Sequence, residues 1–392
     1  MKNRMKERDI QANVAWDNLG VFGPSWSKKV QHILCSVIDS TVKSGSTLCI
    51  YDKDFPTLTR QLEKSAGQLP ESRLEGFVPY QIIDLTDVGN SIRINPIRPD
   101  CINGLKDAEV IATLLRQSLI STYTFEEGER VSRFEKSGIT LLTAAIDYFV
   151  THHPKMADLP HVILFLMQDL KEVLAILCRD SVLNELTSIF QIRLEHKAYN
   201  ELTAILSETL VGLGRSCDPE AFWVLSGEYG LLSSKTQTDL HHQRLVIANH
   251  TGLYNPATLY WQCFLLGYIT DRLCRSAHPE AGKQTVMIGG MDNLFVPGLK
   301  KALADNRHNV QFVLNASRKE YIERNYGCLD MQTWEADGRE VKALPAEMAK
   351  RKTGSSGVGG DIPNESCLKD KARDNYDRIL NDIRQLMSQT GL

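Results

Sequence analysis

The sequence predicts an α/β fold, a mainly parallel sheet covered on both faces and interrupted by an all-helical insertion. Three observations carry the prediction. Residues 18–52 read as strand, loop, helix and strand, the layout of a crossover unit. Residues 244–325 alternate short apolar runs with helical segments, as strands of a parallel sheet do when helices pack on both faces. Between them, residues 159–213 give helix signals with no strand among them.

The first unit opens on a short apolar strand, residues 19–22. Its helix is read from Val30, Ile33, Leu34, Val37, Ile38 and Val42, which recur at the spacing of one buried helical face, with Gly45 where a C-cap is expected. Residues 47–51 follow as a buried strand. The loop between strand and helix, Gly23-Pro24-Ser25-Trp26-Ser27-Lys28-Lys29, sits where backbone N–H groups and the helix dipole favour an anion. Measured against G-x-x-x-x-G-K-[ST], it keeps Gly23 and Lys29, but Lys28 replaces the second glycine and Val30 replaces the hydroxyl. A side chain at position 28 resists the curled backbone of a phosphate nest, and valine offers no oxygen to Mg²⁺. Two readings fit: a degenerate nucleotide loop using Gly23, Ser25, Ser27, Lys28 and Lys29, or a plain strand-to-helix turn with a surface lysine pair.

Further along, residues 56–79 are polar and charged, 80–85 read as a third strand, and 93–99 as an extended or turn segment, because proline disfavours helix at the residue before it. Helices are predicted over 105–119 and 132–149, flanking the sheet. In the insertion, Lys171, Arg179, Arg193, His196, Lys197 and Arg215 are interleaved with acids, the pattern of a solvated helix surface rather than a nucleic-acid face. Strands at 244–248, 285–288 and 310–314 then alternate with helices at 256–274, 297–307 and 318–325. Residues 352–361 read as a flexible linker, and 368–387 as an amphipathic helix carrying Tyr376, Ile379, Leu380, Ile383 and Met387 on one side, to dock on the body or on a partner. The implied domains are 1–155 and 221–330 for the two parts of the α/β unit, 156–220 for the insertion, 331–366 for a linker and 367–392 for the last helix.

At 392 residues, with 42% hydrophobic and 24% charged residues, the chain is long enough for two or three domains and a sizeable core. A formal charge of −3 gives no global attraction to nucleic acid. The nine cysteines show neither C-x-x-C pairing nor metal-like spacing with histidine, so reduced thiols are expected, with no disulfide framework and no zinc. No signal peptide and no run of about 18 apolar residues occurs, so a cytoplasmic protein without its own membrane span is expected.

Several tags occur in order: Ile50-Tyr51-Asp52-Lys53-Asp54-Phe55-Pro56, "RINP" at 93–96, "LPHVILFL" at 159–166, "FWVLSGEYGL" at 222–231, "FVPGLKKALADNR" at 295–307 and "NYG" at 325–327. Together they resemble the TraG/TraD-type coupling proteins of conjugative type IV secretion, especially mobilisation proteins of Bacteroides-like bacteria. The resemblance implies a RecA-like P-loop NTPase fold with an all-helical insertion, ATP and Mg²⁺ as possible cofactors, and relaxase, relaxosome or secretion-apparatus proteins as partners. It also makes DNA a possible partner, and implies a homo- or hetero-oligomer held at the inner-membrane face through partners.

Carried over residue by residue, the resemblance is less favourable to activity. The family's Asp-Glu pair falls on Gly289-Gly290, with Asp292 as a displaced remnant; its sensor glutamine corresponds to Ser317, and Arg307 matches a family arginine. The hydroxyl for Mg²⁺, the acidic pair and the sensor are thus all replaced, and losing one preorganised group of this kind commonly costs about 3 kcal/mol. No catalytic residue is assigned. A catalytically inactive, coupling-protein-like platform is the favoured reading. The alternatives are a functional ATPase whose site is completed in trans, and a decayed remnant of a mobile element.

Overall fold

The computed structural model describes residues 18–25, 27–68, 80–120, 133–230, 244–250, 255–276, 284–292, 294–304, 310–326, 331–335 and 365–388. Seven strands form one sheet: β1 (Leu19–Phe22), β2 (Thr47–Asp52), β3 (Gln81–Ile83), β4 (Arg244–Ala248), β5 (Gln284–Gly289), β6 (Val310–Ala316) and β7 (Gln332–Glu335). Their order is β3-β4-β2-β5-β6-β1-β7 and every pairing is parallel.

Side-chain alternation assigns the two faces. Leu48 and Ile50 of β2 join Val21, Val246, Met287 and Val313 in one apolar cluster, while Cys49 and Tyr51 join Ile247, Val286, Ile288 and Phe312 in the other. Both faces are covered, which is why these strands read as continuous apolar runs. The first face carries α1 (Lys28–Ser44) and α2 (Thr57–Ala66). The six apolar residues predicted for α1 are all 0–1% exposed. At about 2 kcal/mol each, their burial favours this seat by roughly 10 kcal/mol before conformational entropy opposes it. Gly45 ends the helix, its N–H bonding Val42 O at 3.1 Å.

The second face carries α10 (Pro256–Ser276), whose Gln262 donates to Ala248 O at 3.0 Å and accepts from the Tyr51 hydroxyl at 3.3 Å. On α10 stands a helical layer comprising α3 (Leu105–Ile120), α4 (Arg133–His152), α5 (Leu159–Leu166), α6 (Leu170–Leu177), α7 (Ser181–Glu195), α8 (Tyr199–Ser216) and α9 (Pro219–Leu225). Asp158, Asp169, Asp180 and Asp218 cap α5, α6, α7 and α9 through their side chains. Here the prediction is corrected: α3 and α4 do not flank the sheet as a pair. They pack mainly on each other, on α8 and on α10.

The short helices α11 (Leu299–Ala304) and α12 (Lys319–Tyr326) follow β5 and β6. The last helix, α13 (Glu365–Ser388), docks on the body, against α5 and α9, through Ile379, Ile383 and Met387. Three elements escaped the sequence reading, α9 among them, a helix of seven residues beyond the last helix predicted for the insertion. The polar segment after residue 56 contains α2, whose buried face of Leu58, Thr59, Leu62, Ser65 and Ala66 is helical in period but has only two large apolar residues. The predicted linker 331–366 begins with β7, an edge strand of four residues in which Trp334 is the one large apolar anchor. Most of that linker lies outside the described residues.

Candidate functional site at the carboxyl edge of the sheet

In a wholly parallel sheet all carboxyl ends emerge at one edge, where open α/β folds bind ligands. The register aligns Phe22 with Ala316, Gly289 with Asn315 and Asp52 with Gly289. The loops leaving β1, β6, β5 and β2 therefore meet, and these loops hold most of the residues singled out from sequence.

The β1–α1 loop is tied down by its neighbours. Gly23, at φ 147°, donates its N–H to Ala316 O at 2.9 Å, and Asn315 Nδ2 donates to Val21 O at 2.9 Å and Gly23 O at 3.1 Å. Ser27 donates its N–H to Pro24 O at 2.9 Å, and its side chain does not cap α1. Pro24 has no N–H. Two donors of the loop are thus spent on carbonyls and a third is missing, so the cradle for a phosphate is reduced. Ser25 Oγ donates to Asp54 Oδ2 at 2.7 Å. Lys28 is exposed, Lys29 half-buried, and Val30 is fully buried in the core beneath α1. A hydroxyl at position 30 would point into that apolar core as the loop now stands.

At Gly289 and Gly290, where the resemblance would place an acid pair, neighbouring side chains take up the space. A Cβ on Gly289 would come within 2.7 Å of Leu58 Cδ1 and 3.0 Å of Tyr51 O, and one on Gly290 would run into the Lys53 side chain. Gly290 also sits at φ 105°, a region side chains rarely adopt. Asp292 is not aimed at the loop. Its carboxylate accepts from Ser317 N at 2.8 Å and Ser317 Oγ at 2.9 Å, and it pairs with Lys53 Nζ at 3.4 Å. The structure therefore brings together Asp292 and Ser317, and adds Lys53, which sequence reasoning quoted without assigning it a role. Arg307 lies outside the described residues. An ATP–Mg²⁺ arrangement that uses a loop hydroxyl and two carboxylates at the end of β5 does not fit these residues.

Chemistry persists one strand further on. Asp52 is 1% exposed, and its Oδ2 accepts from both Thr59 N and Thr59 Oγ1 at 2.9 Å, anchoring it to the first turn of α2. Burial pushes its carboxyl up to about 6 against those two donors, with Asp54 adding to the rise. At the end of β3, two strands from β2, Asp84 Oδ1 accepts from Thr86 N, Thr86 Oγ1 and Asp87 N, and its Oδ2 meets His250 Nε2 at 2.6 Å. Burial opposes ionisation of Asp84, but His250 and the two N–H donors outweigh it and hold the carboxyl below its ordinary value. The hydrogen bond from His250 to Asp84 in turn raises the imidazole. The aspartates were visible in sequence, but pairing His250 with Asp84 needed the adjacency of β3 and β4.

The cavity among Ser25, Asp52, Asp54, Thr57, Leu58 and Gly289 is about 10 Å³. That is room for about one water, far below the roughly 300 Å³ of a small-molecule site.

Comparison with known proteins defines the fold. No family model and no curated protein matches the sequence. Among solved structures, the chain is similar to the bacterial conjugative coupling protein TrwBdeltaN70 in its unbound monoclinic form. The TM-score is 0.54 at 13% identity, over 79% of this chain and 64% of that one. It is similar to the plasmid coupling protein TrwB in complex with the non-hydrolysable GTP analogue GDPNP, with a TM-score of 0.56 at 12% identity over 83% of this chain and 70% of that one. For TrwB in complex with ADP and Mg²⁺ the values are 0.54, 13%, 83% and 70%. The chain thus spans slightly less than two thirds of the first of these. The predicted α/β, RecA-like fold with helices inserted into it is the fold observed.

Proposed function

We propose that this chain is a coupling-protein-like component of a conjugative, type IV secretion-related DNA-transfer apparatus, one that keeps the motor fold as a binding platform and does not turn over ATP. The carrying observation is the filled space at Gly289 and Gly290. Leu58 and Lys53 occupy the space that side chains at 289 and 290 would need, so restoring carboxylates there requires moving other residues first. The reduced donor set of the loop and the buried Val30 support the same reading. Relaxase, relaxosome or secretion-apparatus proteins are the partners this reading calls for, with DNA as a further candidate and assembly into a homo- or hetero-oligomer. Among the described residues no helix is long and apolar enough to cross a membrane, so placement at the inner-membrane face would come through those partners. A fold outlasting its chemistry is common.

The test is phosphate release from ATP by the purified chain, with and without Mg²⁺, beside Lys29→Ala. Release at background level in both proteins is expected. Turnover that Lys29→Ala abolishes would sink the platform reading. Thermal unfolding in millimolar ATP reports binding separately, because a ligand held only by the native state raises its melting temperature.

A further inference from the structure

We propose that Asp52, Asp54 and Ser25 form a site for one divalent cation of the magnesium class at the carboxyl end of β2. The first observation is an unmet need. Asp52 Oδ2 is satisfied by Thr59, but Oδ1 of the same 1% exposed side chain is buried and has no hydrogen-bond partner. A buried carboxylate oxygen left without a partner is costly, and native structures resolve it with a donor, a proton or a cation.

The second observation is the surroundings. Asp52 lines the small cavity together with Asp54 and Ser25, whose hydroxyl hydrogen is committed to Asp54 Oδ2 at 2.7 Å. That leaves the lone pairs of Ser25 Oγ available to a cation. Two carboxylates and a hydroxyl are hard oxygen donors, the set that suits Mg²⁺ and Mn²⁺, with water completing the octahedron. The cavity of about 10 Å³ holds one small occupant.

The third observation is rigidity. Asn249 accepts the Phe55 N–H at 3.2 Å, donates its own N–H to Asp52 O at 3.1 Å, and donates Nδ2 to Lys53 O at 2.9 Å. The turn bearing both aspartates is therefore clamped at the end of β4, and their spacing is set before any ion arrives. A cation here would tie the β1–α1 loop, through Ser25, to the β2–α2 turn. Gly289 shares the lining of this cavity but supplies no ligand, and the site requires no nucleotide, so it stands or falls independently of the proposed function.

The experiment uses the full chain, stripped with EDTA and free of nucleotide, titrated with MnCl₂ while free Mn²⁺ is followed by electron paramagnetic resonance. One Mn²⁺ per chain, displaced by MgCl₂, is expected, together with a rise in melting temperature. Asp54→Asn, at a half-buried position, should weaken binding by about tenfold or more, with a smaller loss for Ser25→Ala and none of the melting-temperature rise in Asp54→Asn. Asp52→Asn should abolish saturable binding; should it fail to fold, the other two variants decide. Absence of saturable binding in the millimolar range, or binding unchanged by Asp54→Asn, would overturn the site and leave a proton on Asp52 as the answer to its lone oxygen.

Discussion

Two regions of this molecule are packed differently. At the carboxyl edge of the sheet the strands are in register, and Leu58 and Lys53 stand where side chains at 289 and 290 would lie. At the junction between sheet and helical layer the polar groups of residues 93–95 find partners on the segment after residue 222 and at Ala157. Arg93 stacks on Trp223, its guanidinium 3.8 Å from the ring centroid, and donates to Trp223 O at 3.0 Å and Ser226 O at 3.1 Å. Ile94 N meets Val224 O at 2.7 Å, Asn95 N meets Tyr229 O at 2.8 Å, and Asn95 Nδ2 reaches Ala157 O at 2.8 Å. The last helix closes over this junction, with Tyr376 stacked on Phe222 and Asn375 bonded to Ser226 Oγ at 3.1 Å. The segments 93–96 and 222–230 thus meet as one interlocked unit.

The largest effect is expected where the junction is tightest. A Cβ on Gly227 would fall onto the main-chain carbonyl of Arg93, and backbone cannot swing aside as a side chain can. Gly227→Ala should destabilise by about 3 kcal/mol or more, or give insoluble protein. Arg93→Lys, which loses the planar fork and the stack, should cost roughly 1–2 kcal/mol. Urea unfolding of both measures this. A neutral Gly227→Ala would show that the junction yields and that its apparent rigidity misleads.

The same contrast explains what the sequence made legible. The strands, α1 and the insertion were readable because buried faces impose apolar periodicity, as in Val30, Ile33, Leu34 and Val37. The departures of the β1–α1 loop from the phosphate-loop pattern were readable too, since Lys28 and Val30 stand at fixed spacings. What lies beside Gly290 was not. Lys53 reaches Gly290 across 237 positions only because β2 and β5 are neighbours, and no local pattern encodes that. For the same reason the sequence showed Asp292 and Ser317 as two separate remnants and the structure shows one hydrogen-bonded pair.

Placing an acid at this edge tests whether Lys53 fills the space beside Gly290. Gly290→Asp places a side chain at φ 105° and against Lys53, so a loss of about 2 kcal/mol is expected, with no ATP turnover gained. Lys53→Ala in the same chain should recover part of that loss by vacating the space, leaving the backbone strain. Additive losses in the double variant, read from its thermodynamic cycle, would mean that Lys53 does not occupy the acid's place.

The smallest expected effect concerns the dyad of Asp84 and His250 at the same edge. The His250 imidazole is raised above its ordinary 6.5, so its contribution is complete below that value and is lost as pH climbs through the raised one. Asp84 is held below its ordinary 3.8, so its contribution is present above that value and is lost as pH falls through the lowered one. Both are engaged between about pH 4 and 6.5. Stability should therefore carry a component that declines from neutral pH upward, and His250→Gln should remove it at a cost of about 1 kcal/mol near pH 6. The measurement is unfolding free energy against pH for the two proteins. Parallel profiles would show that the dyad contributes nothing.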